Sequence, residues 1–227
     1  MPTQRARAEW ANRVRAEYRS AAVTARVLHL AIAAGLPRPL LDTAHRIVRD
    51  ELDHAALSHD ALRAIGGADH PIDVQFDQLS DFAHPSGPLA ELVHHVLVSF
   101  CFGETLAVPL FRTMRRATTQ PVARAALDRI LVDEAVHRAF GWQALDTLLE
   151  VDEPGVRALI ESALPDTLDH FLRAYGTVRG SVPLSADEQA AGLLSAETYR
   201  SVFHRTWTDD IRTRFHRRAV ATPSLHG

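Results

Sequence analysis

The chain has 227 residues, a formal net charge of −3 and 46% hydrophobic residues, which predicts one globular domain over residues 1–227. The single cysteine, Cys101, excludes a disulfide scaffold and paired-cysteine metal clamps, and all 25 basic residues are arginine, so no lysine exists for a Schiff base. The charge balance favours no nucleic-acid partner, and the charged start and the lack of a run of about 20 uncharged apolar residues predict a cytoplasmic protein without a membrane span.

Apolar residues recur every three to four positions between clusters of glycine and proline, which is the helical period. Four helices are expected at about 6–34, 37–66, 88–117 and 121–150, forming two helical hairpins. The segment 68–87, with two prolines and several aspartates, is predicted to be the crossover between them. A fifth helix is expected from Pro154 to Gly176 or Gly180, and a last one from Asp187 or Ser195. The predicted fold class is all-α: a four-helix core at about 6–150 with a long crossover, followed by two additional C-terminal helices at about 154–220.

Two pentapeptides of the form D-E-x-x-H occupy matching places in the two hairpins. Asp50–His54 lies on the second predicted helix and Asp133–His137 lies on the fourth. Because residues i and i+3 project from one face of a helix, the glutamate and histidine of each motif can reach a common point. One such motif is common by chance, but two in equivalent positions indicate a shared site.

The other helix of each hairpin supplies one isolated carboxylate. Glu17 is the only acidic residue between positions 10 and 41, and Glu104 is the only one between 92 and 127. The apolar flanks of Glu104 indicate core, where an unpaired carboxylate is costly, whereas the arginines near Glu17 also allow a solvated charge. The predicted metal ligands, which are also the predicted catalytic residues, are Glu17, Glu51, His54, Glu104, Glu134 and His137.

Four carboxylates and two imidazoles form a donor set that suits two iron ions, with manganese or a mixed Mn/Fe pair as the alternative. Without metal, four buried carboxylates would repel one another and several would take up protons. Asp50 and Asp133 each precede a ligand glutamate. We expect each of them to accept the N–H of the histidine on the opposing helix, although a surface position explains their spacing equally well.

The whole pattern, E-x(32)-D-E-x2-H followed by E-x(28)-D-E-x2-H, resembles the ferritin-like di-iron carboxylate superfamily over about residues 9–150. Residues 17–67 and 101–148 resemble bacterial ferritin-like domain proteins. The resemblance implies a ferritin-like bundle and a dimetal site that reacts with O2. Ser58 stands where radical-forming ribonucleotide reductase subunits keep a tyrosine. Ile47 and Ile130 stand where arylamine N-oxygenases add a histidine, and Ala107 and Val108 stand where multicomponent hydroxylases place a threonine. These differences argue against a tyrosyl radical and against the chemistry of those two enzyme classes.

The first functional hypothesis is therefore an oxidoreductase: a non-haem di-iron oxygenase or oxidase that activates O2 to oxidise a small organic substrate. Expected partners are that substrate and an external electron donor, without a membrane or nucleic acid, and a homodimer is left open. The alternatives are a ferroxidase, metal-handling or peroxide-defence protein, a scaffold with a vestigial site, and a tRNA-modifying hydroxylase supported only by the basic run 212–218.

Two further features bear on the site. Small residues around Glu17, including Ala16, Ala21 and Thr24, leave room either for a substrate cavity closed by the last helices or for tight helix packing. His170 beside Asp169 is of interest because the fifth helix could lean over the metal site.

Overall fold

The computed structural model describes residues 3–67, 69, 73–74, 85–176 and 183–225. Over these ranges the chain is all-α, with seven helices and no strand. The first four are α1 (Gln4–Ala33), α2 (Arg38–Ala64), α3 (Pro88–Ala117) and α4 (Pro121–Val151). The last three are α5 (Glu153–Phe171, continued by Leu172–Gly176), α6 (Ala186–Ala190) and α7 (Ala196–Thr206, continued by Trp207–Ile211 and Arg212–Arg217). Most of the predicted crossover, and Gly180, lie outside the described residues.

The long helices begin and end where local sequence favours it. Thr3 caps α1 by accepting a hydrogen bond from the amide of Ala6, and α2, α3 and α4 each carry a proline in the first turn. Gly35 and Gly66, with φ of +71° and +74°, follow α1 and α2 in the left-handed conformation that favours glycine. These bounds lie within two residues of those predicted from the sequence.

The first four helices form two hairpins that face each other. α1 packs on α2 and α3 on α4 within the hairpins, while α2 packs on α4 and α1 on α3 between them. The interior is filled by large buried side chains such as Trp10, Phe100 and Phe140. α5 packs on α4 and on the start of α3, and α7 covers the second half of α3. The C-terminal helices therefore close one side of the four-helix core.

A wide π-helical segment, Val96–Glu104, interrupts α3 and ends on one of the predicted ligands. At its centre Phe100 meets Gly141 of α4 so closely that a Cβ atom on Gly141 would lie 2.4 Å from the Phe100 Cβ. Segments of this kind are frequent at functional sites. The sequence does not predict it, because this stretch is apolar on every side and carries no period to read.

By length and composition alone, α3 is also the one helix in the described ranges that could cross a membrane. In this structure 67% of its apolar window is buried inside the protein, which is typical of a core helix. Glu91 and Glu104 lie within α3, so this helix contains no run of about 20 uncharged residues, the length that a membrane span needs.

The prediction of two C-terminal helices was wrong by one, since the described chain has three. Ser185 and Glu188 form a reciprocal capping box that starts the five-residue α6, and Gly192 (φ +91°) ends it. Ser195 then caps α7 by accepting from the amide of Thr198. The two candidate starts in the sequence thus belong to two separate helices.

Candidate metal centre

The six predicted ligands meet in the interior of the four-helix core. One comes from α1, two from α2, one from α3 and two from α4, and each residue is at most 8% exposed. They are Glu17, Glu51, His54, Glu104, Glu134 and His137. Glu17 is therefore a buried carboxylate within the cluster and not a solvated charge beside its neighbouring arginines.

Two glutamates lie between the two histidines. Glu51 places Oε1 3.2 Å from His137 Nδ1 and Oε2 3.6 Å from His54 Nδ1. Glu134 places Oε1 3.8 Å from His54 Nδ1 and Oε2 3.8 Å from His137 Nδ1. Each carboxylate therefore directs one oxygen toward each imidazole, which is the arrangement expected of a carboxylate shared between two cations.

The ligand atoms form two groups of three with one member in common. Glu17, Glu51 and His54 offer atoms that all lie within 4.8 Å of one another, and so do Glu51, Glu104 and His137. Glu51 belongs to both groups, and this overlap could hold two ions side by side.

Several of these atoms are buried without a hydrogen-bond partner among the described residues. They are both carboxylate oxygens of Glu51, Oε2 of Glu134 and the Nδ1 atoms of His54 and His137. A buried polar atom without a partner typically costs about 1–3 kcal/mol. Oxygen and imidazole donors suit iron or manganese, so bound cations would supply the missing partners. The residues present thus fit a metal centre.

The far side of each imidazole faces an aspartate on the opposing helix. His54 Nε2 lies 3.2 Å from Asp133 Oδ2, and His137 Nε2 lies 3.3 Å from Asp50 Oδ2. An Nε2–H that donates to a carboxylate leaves the Nδ1 lone pair free for a metal. Both aspartates are buried rather than on the surface. The Nε atom of Arg46 lies 3.4 Å from Asp50 Oδ2, and its Nη2 atom lies 3.5 Å from Asp133 Oδ1.

Burial and mutual repulsion set the protonation of the metal-free site. Burial raises the pKa of Glu17 well above its usual range, and the charge of Glu51 adds to this. Burial and the charge of Glu104 likewise raise the pKa of Glu134. For Glu51, burial is outweighed by the attraction of the two imidazoles close to its oxygens, which lowers its pKa to about 2. For His137, burial is outweighed by the close carboxylate of Glu51 and the charge of Glu104, which raise its pKa to about 9. Without metal, protons thus offset the carboxylate charge.

These shifts predict opposite pH trends for the metal-free and metal-loaded protein. The folded state keeps protons on Glu17, Glu134 and His137 that the unfolded chain loses, so rising pH lowers the free energy of unfolding without metal. The His137 contribution is fully present below its ordinary pKa of 6.5 and is lost as the pH rises through about 9. Metal ions need deprotonated ligands, so the stabilisation of the folded protein by bound metal grows as the pH rises.

Differential scanning calorimetry of the EDTA-treated protein, with and without excess Mn²⁺, measures both trends from about pH 5.5 to about pH 8.5. We expect the Tm without metal to fall with pH while the increase in Tm caused by Mn²⁺ grows. An increase that is the same at every pH would contradict this assignment of protons.

A cavity of about 520 Å³ lies beside the candidate metal centre, between α1, α3 and the C-terminal helices. Ala16 and Gly103, which immediately precede Glu17 and Glu104, line it, and Tyr175 and Tyr199 contribute from the C-terminal side. Thr24 is fully buried, so part of the small-residue stretch serves helix packing. Sequence reasoning allowed for this cavity but missed Arg13 in its wall, because an arginine on an amphipathic helix usually indicates solvent.

Other residues singled out in the sequence lie away from the centre. His170 is exposed and lines a different cavity, together with Arg19 and His94. In the basic run 212–218, Arg214 pairs with Asp210 and Arg218 pairs with Asp146.

Comparison with protein-family models, with curated proteins and with solved structures finds no match to this chain.

Proposed function

We propose that this protein is a non-haem di-iron oxygenase or oxidase with a ferritin-like bundle, which uses O2 to oxidise a small organic substrate. The supporting observation is the pair of overlapping three-residue ligand groups buried between four helices. An external electron donor and a cytoplasmic location belong to the same proposal.

The metal and its chemistry follow from the donor set. Glutamate oxygens and imidazole nitrogens, without a thiolate among them, favour iron or manganese over softer metals. Bound iron would supply the capacity to reduce O2 and to oxidise a substrate. Glu17, Glu51 and His54 would hold the first ion, and Glu51, Glu104 and His137 would hold the second, while Glu134 lies between the two histidines.

The protein itself orients the ligands and excludes water. Asp50 and Asp133 hold the imidazoles through their Nε2 atoms, which fixes the direction of the Nδ1 lone pairs. The near-complete burial of the ligands keeps bulk solvent away and strengthens electrostatic interactions there. The neighbouring cavity has the volume of a small-molecule site, for which about 300–1,000 Å³ is usual. A site that only stored or transported iron has no need of that cavity.

The metal-handling alternative uses the same ligands and is distinguished by the number of irons bound. We do not carry the tRNA-modifying alternative forward, because its only support was the basic run. The guanidinium carbons of Arg214 and Arg218 lie 5.3 and 4.9 Å from the ring centroid of Trp142. Both arginines also pair with acidic residues, so they stabilise the packing of the C-terminal helix.

An iron count tests the proposal. The EDTA-treated protein is loaded with excess Fe²⁺ without oxygen, exposed to O2 in an oxygen electrode, desalted and analysed for iron. We expect about two irons per chain and rapid O2 uptake, as for other carboxylate-bridged di-iron bundles. A Glu104→Ala variant is expected to keep at most one iron and to lose the O2 uptake. The exposed Glu150 at the end of α4 provides the matched control, Glu150→Ala, which should behave as the wild type.

The other outcomes are equally informative. Dozens of irons per wild-type chain would establish storage instead of catalysis. No iron at all, or O2 uptake that the Glu104→Ala variant retains, would show that the proposal is wrong.

A further inference from the structure

Arg13 lies buried in the wall of the cavity, one helical turn before Glu17, with its side chain 10% exposed. Its Nη2 atom lies 2.8 Å from the sulfur of Met114 and 3.5 Å from a carboxylate oxygen of Glu9. Its Nε and Nη1 atoms are buried and have no hydrogen-bond partner among the described residues. Burying guanidinium N–H groups without an acceptor is costly, and the acceptors that satisfy them best are anions.

Aromatic rings hold this guanidinium in place. Its central carbon lies 4.9 Å from the ring centroid of Trp10 and 5.6 Å from that of Phe111. Trp10 is fixed in turn, since its indole N–H donates to the backbone oxygen of Ala191 at 2.9 Å. The arginine is therefore held in one position by the protein, as a binding group needs to be, and little side-chain freedom is left to lose when a ligand binds.

The remainder of the cavity is mainly apolar. Leucines and alanines of α1, α3, α5, α7 and the turn before α7 form nearly half of its lining, and its charged side chains, Arg5, Glu9 and Arg13, sum to +1. One net positive charge matches a single negative charge. A dianion such as a phosphate ester would be left uncompensated beside Glu9.

We propose that this cavity binds an amphiphilic carboxylic acid, whose carboxylate accepts hydrogen bonds from Arg13 and whose apolar body lies along Leu106 and Leu110 of α3. The inference rests on the proposed function, since it names the substrate class of that same site. Arg13 and Glu17 are four residues apart, about 6 Å along the helix axis. An acid held by Arg13 therefore lies next to the candidate metal centre.

Calorimetric titration of the full-length, EDTA-treated protein tests the proposal with three probes of equal length: octanoate, 1-octanol and octylamine. We expect octanoate to bind at least about tenfold more tightly than octanol, the difference typical of one charge-assisted hydrogen bond. Arg13→Met is expected to abolish this preference while leaving octanol binding unchanged, which also shows that the variant is folded. Arg15→Met is the matched control on the same helix, since Arg15 is half-buried, lies outside the cavity wall and hydrogen-bonds to the side chain of Asn12.

A second variant leaves Arg13 in place. Ala107 is half-buried in the cavity wall, and Ala107→Phe fills the space intended for the apolar body. We expect it to weaken octanoate and octanol together. The proposal would be overturned if the wild type bound octanoate no more tightly than octanol, or bound octylamine more tightly than octanoate. It would also be overturned if the preference for octanoate survived Arg13→Met, or if Ala107→Phe left octanoate binding unchanged.

Measuring without metal separates this inference from the proposed function. A carboxylate preference in a protein that binds no iron would leave the acid site standing and reject the di-iron function. Two irons per chain without that preference would reject the acid site alone. A preference that appears only after iron is added would mean that the acid binds the metal, and would also overturn the role of Arg13.

Discussion

Glu51→Gln is expected to remove both metal ions, whereas Glu17→Gln and Glu104→Gln each remove one. Glu51 is the only residue that belongs to both ligand groups, while Glu17 and Glu104 each belong to one. Glutamine keeps the size of the side chain but lacks its charge. Losing a ligand should weaken binding by more than the 10–100-fold typical of losing a residue that only orients a ligand. The expected ratios are about two ions per wild-type chain, none for Glu51→Gln and about one for each of the others.

Equilibrium dialysis against Mn²⁺, followed by metal analysis, measures these ratios without interference from O2. Glu150→Gln is the matched control, because Glu150 lies exposed on α4, outside the ligand groups. Retention of one ion by Glu51→Gln would show that the two groups bind independently. Loss of both ions from Glu17→Gln would show that neither ion binds without the other.

Much of this arrangement follows from local sequence. The limits of α3 are set by Gly87 (φ +93°) and Pro88 at one end and by the turn before Pro121 at the other, and all of these are visible in the sequence. The i, i+3 spacing of glutamate and histidine places both on one helix face, so two such motifs on packed helices meet once the hairpins form. The role of these residues as metal ligands stays a prediction.

Other features depend on contacts between distant residues and could not be predicted. Arg13 is buried because Trp10, Phe111 and Met114 enclose it, and these side chains come from two helices. The extra helix α6 depends on one capping box in a segment with too few residues for a periodic pattern. The π segment forms against α4 within an apolar stretch that looks like any buried helix.

Gly141→Ala is expected to lower the free energy of unfolding by about 1–3 kcal/mol and to weaken the metal group that contains Glu104. The new Cβ atom would lie 2.4 Å from the Cβ and 3.0 Å from the carbonyl carbon of Phe100, so the backbone of the π segment must move. Phe100 cannot yield alone, because it is 1% exposed and packs edge-on against Phe140 at 4.9 Å. The segment ends at Glu104, so its displacement carries that carboxylate away from Glu51 and His137.

Urea unfolding of the EDTA-treated protein measures the first effect, and Mn²⁺ dialysis measures the second. Gly103→Ala is the matched control in the same segment: its Cβ would meet only the Val98 carbonyl oxygen, at 3.4 Å. Alanine also favours helix over glycine, so this control should be as stable as the wild type or up to about 1 kcal/mol more stable. If both variants unfold at the same urea concentration, the contact between Phe100 and Gly141 does not position α3. If Gly141→Ala is destabilised but still binds two ions, Glu104 is held by its own helix and not by this contact.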